Sequence, residues 1–392
     1  MKKIVLLVLV IAFVVTAFVG CSSNTPAASS AAPAASEAAA PSADASASTA
    51  PASGDAAIPE GVTGDIKVAV VRNLAAGDHT QQFLDGAVSE GESFGFKVDT
   101  FVTDGDDAKL QEVVAQCIQK DYKGIIVSHG QLSYSYDMLK PAIDKGIVVS
   151  TFDTMPMKGG DANGELLAGV TSTSQDDNAL ATLSLTDMIE TVGKDQVNVL
   201  KTFMGPGIPP LDRRNVVYTD LESQGKIKTA ETVAPSDTAN ARGDMTNKTA
   251  AILPKYQAGS VDAIWGCYDE LAKGVLQALI DANRRDIPMF TIDISNDDIN
   301  LMRENADIWK STAAVDPKLI GIANMRLIAL KLAGEDTPEY YTLKAQLVKT
   351  SQLKPDTTMA NLADVVDGWG TLDSISDLNK PWMDALRAQY AK

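Results

Sequence analysis

Histidine is almost missing from this chain: its 392 residues include two, His79 and His129. Cysteine is nearly as scarce, at Cys21, Cys117 and Cys267. The sequence has no H-E-x-x-H, no C-x-x-C and no G-x-x-x-x-G-K phosphate loop. These absences exclude the common zinc and nucleotide-cleaving signatures, and the expectation is a protein with no catalytic residue and no cofactor. Imidazole and carboxylate are sound zinc ligands, and His79, His129 and Asp153 could in principle share an ion. No close spacing supports that, and no metal is expected. Cys117 and Cys267 sit in apolar contexts and read as two buried free thiols, with a bond between them as the alternative. Positive charge is in deficit too: 34 Lys and Arg face 51 Asp and Glu, a net −17. A nucleic-acid surface needs a basic footprint, so nucleic acid is excluded as a partner.

The N-terminus is rich where the rest is poor. Lys2 and Lys3 precede an unbroken apolar run and then small residues up to Cys21, with the charge, length and flanks of a secretion signal over residues 1–20. A single-pass anchor is the alternative, since the run is nearly long enough to span a bilayer. Val19-Gly20-Cys21-Ser22 resembles the lipobox of bacterial lipoproteins, with Phe18 where Leu is usual. That resemblance implies cleavage before Cys21, lipidation of Cys21, and attachment of the protein to the membrane through lipid. Residues 21–60 are then almost entirely Ala, Ser and Pro with a few acids. Such a stretch has too little apolar area to offset its ordering entropy and reads as a disordered tether. An Ala-rich helix is the alternative, which the scattered Pro and Ser oppose.

From residue 66 short β-branched runs alternate with helical patterns. "IKVAVV" (66–71), "KVDTFVT" (97–103), "GIIVS" (124–128) and "GIVVSTFD" (146–153) form a first round. Between them, Leu110, Val113, Val114, Cys117 and Ile118 recur at helical spacing. "VNVLKTF" (197–203), "KTAETVA" (228–234), "VDAIWGC" (261–267) and "PMFTIDI" (288–294) form a second round. Continuous apolar strands alternating with helices mean parallel sheets covered on both faces. Two rounds predict an α/β protein with two doubly wound parallel-sheet lobes.

In open parallel α/β sheets ligands bind beyond the carboxyl ends of the strands. His129 stands where "GIIVS" stops, Asp153 ends "VVSTFD", Asp293 ends "FTID", and His79 lies in the loop after the first strand. Both histidines of the chain fall on this one rim.

The order and spacing of "IKVAVVRNL…FLDGAVSEGESFGFKV", "KGIIVS", "GIVVSTFD", "VDAIWGCYDELAKGVLQAL" and "PMFTIDI" resemble the ribose/galactose (type I) periplasmic binding proteins, the ligand-capturing subunits of ABC importers for monosaccharides. The resemblance spans about residues 65–350. It implies a three-crossing hinge between an N-terminal lobe (65–175 plus about 315–335) and a C-terminal lobe (176–314 plus about 336–355); residues 356–392 run past that pattern, and "NKPWMDALRAQYA" within them reads as an amphipathic helix by which the extension packs on a lobe. It also implies the contacts of a ligand held between them. The first lobe would offer His79 with Thr80 or Gln81, His129 and Asp153. The second would offer Asp212, Arg213 and Arg214 of "GPGIPPLDRRN", then Tyr268 and Asp293, with Asn240 or Asp237 as weaker candidates. Carboxylates accept paired sugar hydroxyls and Arg is a rigid fork of donors, so the chemistry fits.

Two departures stand out: "GDHTQQ" has no aromatic residue where pentose binders place stacking rings, and His129 and Tyr268 replace amides. They leave room for a polyol or a nucleoside as ligand. Each candidate also has a plainer reading. Asp153 and Asp293 could cap helices, the arginines could be solvated first-turn residues, and each His could be a satisfied turn residue. The resemblance implies a monomeric, extracytoplasmic, lipid-anchored binding protein on the outer face of the bacterial cell membrane, working with an ABC permease and its ATPase. Presentation of ligand to a receptor kinase is the alternative.

Overall fold

The computed structural model describes residues 56–237 and 240–391; the expected signal, the Cys21 lipidation site and almost all of the tether lie outside them. Residues 53–392 form one compact unit. Its first round runs β1 (Lys67–Arg72), α1 (Asp78–Ser93), β2 (Lys97–Val102), α2 (Asp107–Gln119), β3 (Gly124–Ser128), α3 (Leu132–Asp144), β4 (Val148–Phe152) and β5 (Val170–Gln175). The second runs α4 (Asp177–Val192), β6 (Val197–Thr202), α5 (Pro209–Ser223), β7 (Ile227–Val233), α6 (Ala241–Ile252), β8 (Ala263–Trp265), α7 (Asp269–Asp281), β9 (Met289–Ile292), α8 (Asn296–Glu304) and β10 (Trp309–Ala314). The chain closes with α9 (Pro317–Leu332), β11 (Tyr340–Leu343), β12 (Gln346–Lys349) and α10 (Pro381–Tyr390).

Two six-stranded sheets result, ordered β11-β5-β4-β3-β1-β2 and β12-β10-β9-β8-β6-β7. All neighbours pair in parallel except β12, which runs antiparallel to β10. The central strands are buried along nearly their whole length; β3, "GIIVS", is buried at every residue. Burying each of its Ile and Val side chains contributes about 1.5–3 kcal/mol. Helix α2 starts where the Asp106 carboxylate accepts from the backbone N–H groups of Ala108 and Lys109, both at 3.0 Å. Its Leu110, Val114, Cys117 and Ile118 form the face buried on the sheet. Cys117 and Cys267 are free and buried.

Helix α9 returns to the first lobe and lies against α1, buried along most of its length. The two backbones come so close that a Cβ on Gly321 would meet the Phe83 carbonyl and the Ala87 N–H, and one on Gly86 would meet the Lys318 carbonyl. This approach fixes the start of α1, which carries His79.

The strand pairing corrects one boundary. Residues 336–355 do not all belong to the second lobe, because β11 pairs in parallel with β5 at the edge of the first sheet. The polypeptide crosses between lobes at Asp176, at Val315–Asp316 and between Leu343 and Gln346. A fourth crossing follows. Met359, Leu362, Val366 and Trp369 pack with Ile294, Ile299, Ala314 and Val348 of the second lobe. Beyond Gly370 the chain passes to the first lobe, where Tyr341 donates to Asp377 at 2.9 Å and Arg387 pairs with Glu90 of α1 at 2.7 Å. The extension therefore packs on both lobes, not on one.

Candidate functional site

The carboxyl ends of the two sheets face each other across a cleft. At its rim the Asp78 carboxylate of α1 accepts from the Asn296 N–H of α8 at 3.0 Å. Three residues at strand ends hold left-handed backbones although none is glycine: His129 (φ 61°), Asp153 (φ 44°) and Asp293 (φ 73°). Each N–H extends the ladder by one more bond, to the carbonyls of Phe152 (3.1 Å), Thr173 (3.0 Å) and Ala313 (2.9 Å). The chain then turns sharply at that residue. Such conformations cost on the order of 1–3 kcal/mol each and persist where packing overdetermines them, commonly at binding sites.

The first-lobe wall is organised by Arg72, the last residue of β1. Its guanidinium is fully buried, 4.5 Å from the ring centre of Phe83 and 5.6 Å from that of Phe152. One terminal nitrogen lies 2.7 Å from His79 Nδ1. The other lies 3.4 Å from His129 Nδ1 and 3.2 Å from the Ser128 hydroxyl, to which it donates. His129 Nε2 is 3.9 Å from Asp153 Oδ2. Two buried atoms of this wall, Arg72 Nε and Asp153 Oδ1, have no hydrogen-bond partner among the described residues.

The second-lobe wall is fully cross-linked. Arg214 donates to Asp177 Oδ1 (2.9 Å), to the Cys267 carbonyl (2.8 Å) and to both Asp293 oxygens (3.0 and 3.3 Å). Arg213 donates to Asp177 Oδ2 at 3.0 and 2.7 Å. Asp177 opens α4 directly after the first crossing, so it joins the hinge to both arginines.

Burial and these charges set the protonation states. Burial pushes the Asp153 carboxyl up to about 7, helped by the Asp177 charge and opposed by Arg213, Arg214 and Arg72. His79 is pushed down to about 3 by burial and by the positive Arg72 and Arg214, against the pull of Asp293. His129 is held well below its ordinary value by burial and then by Arg72 and His79. Both imidazoles are therefore neutral. Burial lowers Arg72 to about 9, partly offset by Asp153. Arg214 is raised: Asp293 and Asp177 outweigh its burial.

Six of the predicted residues thus come together: His79, His129 and Asp153 on one wall, Arg213, Arg214 and Asp293 on the other. Tyr268, just before α7, is half-buried near them, its hydroxyl directed at the Met204 sulfur 3.3 Å away. Thr80, Asp212 and Asn240 are engaged locally. The Thr80 hydroxyl donates to the Ala75 carbonyl at 2.7 Å, and Asp212 accepts from the Gly207 N–H at 2.9 Å. Asn240 is exposed and caps α6 through the Gly243 N–H at 3.3 Å. Sequence reasoning missed Arg72 and Asp177. The signal for Arg72 is a charge placed at the end of an apolar strand, directly before a loop.

Among the described residues no group of His, Cys, Asp and Glu is arranged to hold a metal ion, and no helix is long and apolar enough to cross a membrane.

A family model described as a periplasmic binding protein domain matches residues 68–336. Among solved structures, a sugar ABC transporter protein from Yersinia enterocolitica subsp. enterocolitica 8081 is 39% identical, with a TM-score of 0.74, over 86% of this chain and 99% of that one. The solute-binding protein of a 5-methylthioribose transporter from Thermotoga lettingae, in complex with 5-methylthioribose, is 23% identical, with a TM-score of 0.71, over 85% of this chain and 100% of that one. An ABC transporter solute-binding protein from Agrobacterium vitis with bound allitol is 21% identical, with a TM-score of 0.61, over 74% of this chain and 97% of that one. No curated protein matches the chain. The paired walls at the strand ends lie in the matched region, and the chain belongs to the periplasmic binding protein family, an extracytoplasmic solute-binding protein of the ABC-transporter class and not an enzyme.

Proposed function

We propose that this protein captures a neutral, polyhydroxylated solute of monosaccharide size between its two walls and delivers it to an ABC permease driven by its ATPase. The observation that carries the reading is charge balance above pH 7, where Asp153 is ionised: Arg72, Arg213 and Arg214 stand with Asp153, Asp177 and Asp293, and both imidazoles are neutral. A phosphate or a free carboxylate brought into that set would add an uncompensated buried charge, which costs several kcal/mol. A sugar or polyol adds none, and its hydroxyls both donate and accept. Asp153 Oδ1 is the open acceptor and Arg72 Nε the open donor. The 39% identical relative, itself a sugar ABC transporter protein, supports the same class.

Hinge closure is the mechanism in this reading: a ligand touching both walls favours the closed arrangement by its differential affinity for it. The protein acts as a monomer, tethered through lipidated Cys21 to the outer face of the cell membrane.

A thermal-shift panel on the unit 53–392 tests this. Pentoses, hexoses, polyols and nucleosides are set against sugar phosphates and amino acids. A ligand that binds only the folded state raises the melting temperature by mass action, about 2.7 kcal/mol at a hundred times its Kd. At least one neutral carbohydrate shifts the melt. A shift confined to phosphates, amino acids or metal ions refutes the reading.

A further inference from the structure

We infer that Arg72 is a positioning residue that fixes the tautomer of both histidines, so that the first-lobe wall presents two Nε2–H donors together with the Asp153 acceptor. Donor and acceptor identities alone decide this. A guanidinium has five N–H donors and no acceptor. Both of its terminal nitrogens face an imidazole Nδ1, at 2.7 Å for His79 and 3.4 Å for His129. An N–H on either Nδ1 would point at another N–H, so each Nδ1 carries the lone pair and each proton resides on Nε2. Protonation of either ring would place the same two donors face to face.

The guanidinium cannot turn away to relieve this. It is fully buried between the rings of Phe83 and Phe152, and Ser128 accepts one of its bonds. The charged and titratable groups acting on the rings can be named. His79 feels Arg72 from β1, and Asp293 and Arg214 from the second lobe. His129 feels Arg72 and His79, and has Asp153 3.9 Å from its Nε2. The one carboxylate that pairs with His129 is thus on the Nε2 side, at 3.9 Å, beside the proton that the Arg72-selected tautomer carries there.

For recognition, resting on the function proposed above, this wall calls for a solute with two acceptor oxygens and one donor hydroxyl. Two neutral imidazoles act as aimed donors without adding charge. An arginine at the end of a β-strand then sets the hydrogen-bond pattern of the cleft wall.

The test needs no ligand, so its failure is separable from failure of the sugar reading. The untagged unit 53–392 contains just two histidines. Its ¹⁵N-histidine long-range NMR spectrum therefore reports both rings directly, with His79→Asn and His129→Gln supplying the assignments. Wild-type protein is expected to show bare Nδ1 and protonated Nε2 on both rings, unchanged from pH 8 to pH 5. In folded Arg72→Met, both rings gain Nδ1–H population and their protonation midpoints rise by at least about one unit toward the ordinary value near 6.5. Arg72→Lys supplies one ammonium, which reaches a single ring, so one histidine is released and the other stays fixed. That variant decides the matter if Arg72→Met does not fold. Nδ1–H as the main form in wild type, titration of either wild-type ring near pH 6.5, or wild-type spectra in the folded variants overturns the inference.

Discussion

The two walls of the cleft are built on the same topology and differ in how much of their polar capacity is already used. On the second-lobe wall, Arg214 donates four bonds to Asp177, Asp293 and the Cys267 carbonyl, and Arg213 doubles the tie to Asp177. On the first-lobe wall, Arg72 Nε and Asp153 Oδ1 are buried and unpartnered. Buried polar groups without partners cost roughly 1–3 kcal/mol each, so the first wall is held in a state that a ligand relieves. The second wall is a stiff, preorganised surface; the first carries the unmet demand that discriminates among solutes. Preorganisation lowers the ordering cost of binding, and unmet demand makes the wrong solute costly.

Breaking the second wall has the largest expected effect. Arg214→Met leaves Asp177 and Asp293 without their shared counter-charge. The loss is about 3–5 kcal/mol of folding stability, as for any broken buried ion pair, read in urea unfolding of the unliganded protein. Binding is lost with it.

Breaking the first wall separates function from stability. Asp153→Asn keeps the shape and removes the charged acceptor, at a cost of about 2 kcal/mol in ligand binding, roughly thirty-fold in Kd. Calorimetric titration measures it, and the melting temperature moves far less than in Arg214→Met.

pH divides the same wall more finely. Asp153 is raised from an ordinary 3.8 to about 7. Its folded-state value lies above its unfolded one, so its contribution to stability is full below pH 3.8 and is lost as pH rises through 7. Acidifying from pH 7.5 to 5 therefore stabilises the unliganded fold through this group. Over the same range the acceptor is protonated, and affinity falls by up to about tenfold per unit below pH 7. Opposite slopes of melting temperature and affinity, measured in one buffer series, are the signature.

The smallest effect belongs to Arg213. Its side chain is 36% exposed while Asp177 keeps Arg214, so Arg213→Met costs no more than about 1 kcal/mol in stability. A loss as large as that of Arg214→Met shows that the tie depends on both guanidiniums.

How much of this was legible in the sequence follows from the range of each interaction. The strand–helix alternation and the rim positions of His129, Asp153 and Asp293 are local patterns, and reading along the chain finds them. Arg72 is not local. A charge ending "IKVAVV" makes sense once Phe83, Phe152 and Asp153 are brought around it from two other segments. Strand β5, "VTSTSQ", lacks an apolar run and is buried because its hydroxyls are satisfied: Ser172 donates to the Thr154 carbonyl at 2.9 Å and Thr173 to the Thr151 carbonyl at 2.8 Å. Thr80, Asp212 and Asn240 mislead for the opposite reason. Short polar side chains in loops and at helix starts readily bond to nearby backbone, and sequence alone does not separate that use from ligand contact. The bridging extension was out of reach, because its two halves bury ordinary apolar residues against different lobes.

The most direct test of the charge-balanced cleft is a pair of calorimetric titrations. The neutral monosaccharide giving the largest melting shift is compared with its own phosphate ester on the unit 53–392 at pH 7.5. The neutral sugar is expected to bind and the ester to bind at least about a hundredfold more weakly, a difference near 2.7 kcal/mol. An ester that binds as tightly as the sugar, or more tightly, contradicts the account.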